Sequence, residues 1–268
     1  MQTLDLCRAL MSERGEVSGS RLASRALASY TMLPDEAHEE FLDLLVREFT
    51  PDEARVWEAA QHHHRNPSAA TLQALQDAVE SPRQELFRRL NMAPGGTMIL
   101  VDLRRRLLAT LRAHPERGGV DADLLHLFRS WFNRGFLVLQ RIDWNTPAAV
   151  LERLIEYEAV HEITGWDDLR RRLAADRRCY GFFHPALPGD PLIFIEVALT
   201  RGLPRTVQEL IDPASAVDDP ARADHAVFYS ITNCQEGLRG VSFGNFLIKQ
   251  VAEDLGRELR RLDTFTTL

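Results

Sequence analysis

The sequence contains a single lysine, Lys249, and acidic residues outnumber basic ones, so that the net charge is −7 and the pI about 5.7. This balance argues against a nucleic-acid-binding protein. Its three cysteines, Cys7, Cys179 and Cys234, are far apart and odd in number. They form neither a disulfide framework nor a pair with zinc spacing, so plain thiols are expected.

Long hydrophobic runs are also missing. No stretch approaches the roughly 18 apolar residues of a membrane span, and the first residues lack the charged-then-apolar pattern of a signal peptide. We therefore expect no membrane partner and a cytoplasmic location. With 268 residues, of which 45% are hydrophobic, the chain is long enough for one large or two ordinary domains.

Residues 1 to about 142 predict an α-helical domain, because apolar residues recur there at three-to-four spacing and no convincing strand interrupts them. Thr50 is interpreted as an N-cap, with Pro51 at the first helical position. The predicted helices include Leu4–Met11, Arg21–Tyr30, one starting after Pro34, Ser68–Val79, Ser81–Met92, Gly96–His114 and Asp121–Trp131.

Residues 143–268 follow a different pattern: helix, helix, strand, strand, strand, glycine loop, helix and a short final strand. Pro188-Gly189-Asp190 separates two strand-like segments, which predicts an antiparallel hairpin. The predicted elements are helices Ala148–Tyr157, Gly165–Ala175 and Pro204–Leu210, strands Arg178–His184 and Pro191–Thr200, the strand within Ala226–Ile231, a helix to Leu259 and the strand Thr264–Leu268.

The segment Ala226–Leu255 is interpreted as a buried strand, a loop with three glycines and an amphipathic helix. The N-terminus of such a helix favours an anion, most often phosphate. The glycine spacing matches neither the dinucleotide-binding fingerprint nor the P-loop. From the residues alone, a phosphate cradle and an ordinary strand-to-helix turn both remain open.

The sequence RGVSFGNFL, starting at Arg239, resembles the Arg/Gln-Gly-x-Gly-x-Gly/Ala segment with which GNAT-fold proteins hold the pyrophosphate of coenzyme A. Ser242 stands where that segment usually has Gly or Ala. The resemblance implies that this loop binds the substrate, and backbone N–H groups would coordinate the pyrophosphate. The candidate binding residues are Arg239, Gly240, Val241, Ser242, Phe243, Gly244 and Asn245.

The longer string FYSITNCQEGLRGVSFGNFLIKQVAEDL, together with RRCYGFFHP and PLIFIEVALT, is similar to the malonyl-CoA decarboxylase family. This resemblance implies an α+β protein with an N-terminal helical bundle (1–142) for oligomerisation and part of a GNAT-like mixed sheet domain (143–268). It also implies conversion of malonyl-CoA to acetyl-CoA and CO2, a homotetramer, and no cofactor besides the coenzyme A of the substrate.

In this family the named catalytic residues are a serine and a histidine, and the motif that the serine opens would follow Leu268. No catalytic residue is therefore assigned, and we expect the chain alone to be inactive. Some family members carry an acidic residue at the position of Ser242. Two other interpretations stay open: a GNAT-type acyltransferase, and a non-catalytic module that binds coenzyme A or oligomerises.

Other motifs favour structural roles. His62-His63-His64 lacks a partner at metal-ligand spacing, so a solvated helix end is favoured over a metal site. The triplets Arg104–Arg106 and Arg170–Arg172 are interpreted as solvated helix faces, although the second could meet an adenosine phosphate of coenzyme A. For Cys179 and Cys234, packing is favoured over a nucleophilic role.

Overall fold

The computed structural model describes residues 2–243 and 246–268. The chain divides into two compact units. A helical unit comprises the residues up to Trp131 together with Gly237–Val241, and a sheet unit comprises Phe132–Glu236 and Ser242–Leu268. The α+β fold class is thereby confirmed, with helices first and a mixed sheet second.

The helical unit buries a leucine- and phenylalanine-rich core, in which Leu86, Phe87, Leu107 and Phe128 have no exposed surface. These residues recur at helical spacing, which explains why the sequence pattern predicted most of the elements. The helices are α1 Gln2–Ser12, α2 Glu16–Thr31, α3 Asp35–Glu48, α4 Glu53–Arg65, α5 Ala69–Val79, α6 Pro82–Asn91, α7 Gly96–Thr110 and α8 Gly118–Trp131.

Polar N-caps define where several of these helices begin. Ser68 and Thr71 form a reciprocal capping box at the start of α5. The prediction of Thr50 as the N-cap of α4 is wrong: Asp52 accepts from the first amides of that helix, whereas the Thr50 hydroxyl donates to the carbonyl of Val46 in the preceding helix. An aspartate two residues closer to the helix competes successfully, since it is an equally good cap.

The sheet unit contains five strands in the order β1-β2-β3-β4-β5. The first three pairings are antiparallel and β4 pairs with β5 in parallel. The strands are β1 Val138–Ile142, β2 Arg177–Phe183, β3 Pro191–Thr200, β4 His225–Asn233 and β5 Thr264–Thr267, and the helices are α9 Ala148–Tyr157, α10 Trp166–Arg172, α11 Gln208–Ile211 and α12 Phe246–Glu258.

Helices cover both faces of this sheet. Cys179 on β2 belongs to the hydrophobic cluster that contains Leu151 of α9 and Leu169 of α10. The next residue, Tyr180, points to the other face, where its hydroxyl donates to Asp254 of α12 at 3.0 Å. Because successive strand side chains alternate between faces, α12 lies opposite α9 and α10.

Several predicted limits differ from those of the structure by a few residues, and two elements differ more. β1 lies within residues that were predicted to belong to the helical domain; its short length and mostly exposed pattern gave a weak strand signal. The short helix predicted at Pro204–Leu210 is reduced to α11, a single turn. The predicted hairpin of β2 and β3 is confirmed.

The face of the sheet that carries α9 and α10 also buries an acidic cluster. The Glu158 carboxylate accepts from the hydroxyls of Ser230 (2.8 and 2.9 Å) and Thr232 (2.9 Å), and from two backbone amides that follow it. Glu196, which has no exposed surface, accepts from the Arg172 guanidinium at 2.9 Å. Glu158 is thus paired with hydrogen-bond donors, as burial requires, whereas Oε1 of Glu196 has no hydrogen-bond partner among the described residues.

Burial raises the pKa of Glu196 from 4.5 to about 8, although Arg172 opposes the shift and the nearby Glu158 adds to it. A carboxyl whose pKa is higher in the folded than in the unfolded state stabilises the fold below about pH 4.5 and loses that contribution as the pH rises towards 8.

Between pH 5 and 8, we therefore expect the free energy of unfolding of the wild type to fall by on the order of 1–3 kcal/mol more than that of Glu196→Gln. Denaturant unfolding at a series of pH values measures this difference. Glu162→Gln, which changes an exposed carboxylate, is the control and should keep the wild-type pH dependence. Equal pH dependence in Glu196→Gln and wild type would contradict the expectation.

Candidate functional site

The segment predicted to bind phosphate follows the end of β4 at Asn233 and precedes the start of α12 at Phe246. A short 3₁₀ turn, Glu236–Leu238, lies within it. Five of the seven candidate residues are described, and Gly244 and Asn245 lie outside the described residues. The predicted order of strand, loop and helix is thus confirmed. Phe243 precedes the helix, so the buried ridge of α12 consists of Leu247, Val251 and Leu255.

Two glycines shape the first part of the segment. A Cβ at Gly237 would lie 2.0 Å from the carbonyl oxygen of Val101, so only glycine permits this close contact with α7. Gly240 has φ of 87°, in the left-handed region that favours glycine. The glycines at these two positions are therefore required by the backbone path.

Arg104 of α7 anchors the same part of the segment. One terminal nitrogen of its guanidinium donates to the carbonyl oxygens of Gly237 (2.7 Å) and Arg239 (2.8 Å), and Nε donates to Asp121 at 2.8 Å. The side chain is 2% exposed, so these charge-assisted hydrogen bonds form away from water. The carbonyls of the loop are consequently directed at the helical unit.

The interpretation of Arg104–Arg106 as a solvated face is wrong for Arg104. Arg105 and Arg106 remain partly exposed and pair with Asp102. A signal was available in the sequence: Leu100, Arg104 and Leu107 are spaced by four and three residues, which places the arginine on the buried ridge. The sequence analysis did not identify Arg104 as buried, because it stands in a run of three arginines and such runs are normally exposed to solvent.

Several donors of the segment remain unused. The exposed Arg239 side chain makes no hydrogen bond or ion pair with any described residue. In the sheet unit, the N–H groups of Ser242 and Phe243 donate to none of the described acceptors, whereas in the helical unit Val241 N–H donates to the carbonyl of Leu238 at 2.9 Å. Unpaired N–H groups just before the start of a helix can coordinate an anion.

The remaining candidates occupy structural positions. His62–His64 end α4, and His63 bonds to the Thr71 hydroxyl at 2.9 Å. Over residues 2–243 and 246–268, no group of three His, Cys, Asp or Glu side chains could hold a metal ion. None of the helices in those ranges is long and apolar enough to span a bilayer.

The cysteines are all buried thiols. Burial raises the pKa of Cys7 to about 12 and raises those of Cys179 and Cys234 well above the ordinary value. Such thiols remain protonated near neutral pH, which supports packing over a nucleophilic role.

The second arginine triplet also differs from its prediction. Arg170 is exposed, but Arg171 and Arg172 are 5% and 1% exposed and pair with Asp176 and Glu196. A solvated face is therefore the wrong interpretation for these two. Glu196, the buried partner of Arg172, lies on β3, which the sequence spacing could not indicate, whereas Arg172 also pairs with Asp168 one turn earlier on α10.

Both parts of the chain match families of known proteins. The malonyl-CoA decarboxylase N-terminal domain matches residues 49–132, and the malonyl-CoA decarboxylase C-terminal domain matches residues 135–268. The chain belongs to the malonyl-CoA decarboxylase family. The family predicted from the loop and strand motifs is thus confirmed.

Relatives within this family are similar along most of the chain. Mitochondrial malonyl-CoA decarboxylases of Anser anser anser and Rattus norvegicus are each 36% identical over 244 and 243 residues, which is 85% of this chain but 48% and 49% of theirs. The chain therefore spans about half the length of these relatives.

Crystal structures of malonyl-CoA decarboxylases are similar over the full chain. Those from Rhodopseudomonas palustris and Agrobacterium vitis are 53% and 51% identical, with TM-scores of 0.94 and 0.95, and the chain covers 65% of each. The structure from Cupriavidus metallidurans is 37% identical with a TM-score of 0.77, and 62% of it is covered.

Proposed function

We propose that this chain binds malonyl-CoA through the segment from Arg239 to Asn245 and serves the conversion of malonyl-CoA to acetyl-CoA and CO2. The observation that carries the proposal is the pair of unused donors in the sheet unit, the N–H groups of Ser242 and Phe243, which precede the 13-residue helix α12. The family resemblance adds the exposed guanidinium of Arg239. Pyrophosphate supplies the negative charge and the acceptor oxygens that these donors require.

The reaction sets two demands on an enzyme. Loss of CO2 from the malonyl group leaves the enolate of a thioester, whose oxygen needs stabilisation and whose carbon must receive a proton. The binding segment addresses neither demand, because its donors are committed to the pyrophosphate. By the family resemblance, a serine and a histidine perform the chemistry in members of the family, and we assign no catalytic residue within 1–268. We propose that no cofactor is needed besides the coenzyme A of the substrate.

Removing the Arg239 charge should weaken binding without disturbing the fold, since the side chain is exposed. We expect Arg239→Gln to raise the dissociation constant for malonyl-CoA and for free coenzyme A by about tenfold, as one charge-assisted contact is lost. Isothermal titration calorimetry measures both constants. Arg260→Gln, which removes an exposed arginine elsewhere in the sheet unit, should bind like the wild type. Unchanged affinity in Arg239→Gln would refute the assignment of this side chain.

We further propose that the chain forms a homo-oligomer, as the family resemblance implies, through its helical part. The helices α4 and α5 pair with each other, yet α4 contains no buried residue and α5 buries only Ala78. Trp57 is 67% exposed and Leu72 44% exposed on this pair. Apolar surface of this kind, on helices with so little burial of their own, suits contact with a second copy.

The variant Trp57→Glu/Leu72→Glu should lower the mass in solution towards that of the 30.5 kDa monomer, because charges would be buried against apolar partners. Sedimentation velocity measures the mass. Val217→Glu, at an equally exposed apolar residue of the sheet unit, should retain the wild-type mass. An oligomer that survives the double substitution would show that another surface carries assembly.

A cytoplasmic location remains our proposal for this chain, based on its composition. The vertebrate relatives named above are described as mitochondrial, a statement about those proteins.

A further inference from the structure

The sheet unit contains a pocket of about 640 Å³ beyond the last residue of β3, Thr200. Its lining includes four arginines, Arg171, Arg177, Arg201 and Arg205. Apolar side chains between them complete the wall, and the volume is in the range of small-molecule sites. None of the residues that line this pocket belongs to the candidate binding segment.

The wall of the pocket holds an excess of buried positive charge. Arg171 donates to both carboxylate oxygens of Asp176 at 2.7 and 3.1 Å, and Arg177 pairs with the same carboxylate at 2.9 Å. Arg171 is 5% exposed, Arg177 4% and Asp176 1%, so two buried cations share a single buried anion. Such an excess is costly unless another negative group compensates it.

Two further observations agree with this excess. Burial lowers the pKa of the Arg177 guanidinium, and the neighbouring Arg171 adds to the effect. The Nε of Arg171 is shielded from solvent and has no hydrogen-bond partner among the described residues. The pair is therefore not fully satisfied by Asp176, even though Arg177 also donates to the carbonyl of Leu210.

Exposed arginines stand at the rim. Neither Arg201 nor Arg205 forms an ion pair or side-chain hydrogen bond with the described residues. Gly202, with φ of 75°, forms the turn between them, and its N–H donates to Asp224 at 2.8 Å.

Two other carboxylates line the pocket. Glu209 accepts from the backbone N–H of Arg205 at 3.3 Å, and Asp218 is exposed. Four arginines against three carboxylates still leave a positive balance. The net positive charge is greatest at the buried wall, where water cannot screen it.

The pocket is separate from the end of β4 at which the binding segment begins. Thr200 pairs with His225, the first residue of β4, whereas the segment follows Asn233, the last residue of that strand. Nine strand residues span about 30 Å. A pyrophosphate held after Asn233 thus leaves this pocket unfilled.

We infer that the pocket binds a small organic anion through a carboxylate or phosphate group. Guanidinium groups match both oxyanions with paired hydrogen bonds, and the apolar wall accommodates a carbon skeleton. The anion compensates the excess charge of Arg171 and Arg177 and is held at the rim by Arg201 and Arg205. This inference stands independently of the function proposed above.

Inorganic phosphate and succinate, titrated separately by calorimetry, test the inference. We expect Arg201→Gln/Arg205→Gln to weaken binding of the preferred anion at least tenfold, and the tighter of the two probes identifies the oxyanion. Arg21→Gln/Arg25→Gln removes two exposed charges from α2 and should bind like the wild type. Arg239→Gln should also retain binding, which separates the pocket from the candidate pyrophosphate loop.

Three results would overturn the inference. The first is that neither anion gives a heat of binding when its concentration is raised to on the order of 20 mM, which would place any dissociation constant above that concentration. The second is equal binding by Arg201→Gln/Arg205→Gln and the wild type. The third is loss of binding in Arg239→Gln with retention in the pocket variant, because the anion would then occupy the loop.

Discussion

The burial of arginine is the constraint on which both units of this protein depend. A guanidinium carries five N–H donors and a permanent charge, so each buried one must be surrounded by carboxylates and carbonyls in a fixed arrangement. In the helical unit, Arg83 donates to Asp123 and to the carbonyl of Leu45, and Arg117 contacts Asp43 and Glu39. These contacts join helices that are distant in the sequence. Arg83 and Asp123 are both largely buried, and removing one partner of such a pair costs roughly 3–5 kcal/mol.

Arg104 applies the same constraint to the first part of the candidate binding segment. Its donors are divided between Asp121 and the carbonyls of Gly237 and Arg239, so α7 and α8 fix the backbone of these two residues within the helical unit. The loop is held by its carbonyls and shaped by glycines, while the donors nearest α12 remain available. In the sheet unit, Arg172 and Glu158 restrain β3 and β4 comparably.

The sequence predicted the elements with strong periodicity. The limits of α9 and β3 agree with their predicted limits, and the hairpin turn at Pro188-Gly189-Asp190 was recognised from its residues. Such features depend on which residues are buried locally, and the spacing of apolar residues in the sequence indicates this. The weakly patterned β1 was missed for the same reason.

The arrangement of charged groups could be predicted much less well. Arg104, Arg171 and Arg172 were interpreted as solvated because they stand in runs of arginine, and runs of one charge are usually exposed. Arg104 and Arg172 bond to carboxylates that are 17 and 24 residues away in sequence, which only the folded chain brings close to them. The pairs Arg171–Asp176 and Arg172–Asp168 are local, but the runs of arginine gave no sign that they are buried. The motif predicted a loop between β4 and α12, but the sequence did not identify Arg104 as the residue that anchors part of it.

In the proposed complex, the N–H groups of Ser242 and Phe243 donate to the pyrophosphate of coenzyme A. Amide NMR spectra of the ¹⁵N-labelled chain, recorded during a titration with coenzyme A, measure this contact. We expect these two amide signals to move downfield and to rank among the most strongly shifted, since a charged acceptor replaces water. Binding of coenzyme A that leaves both signals in place, while amides elsewhere shift, would refute the contact.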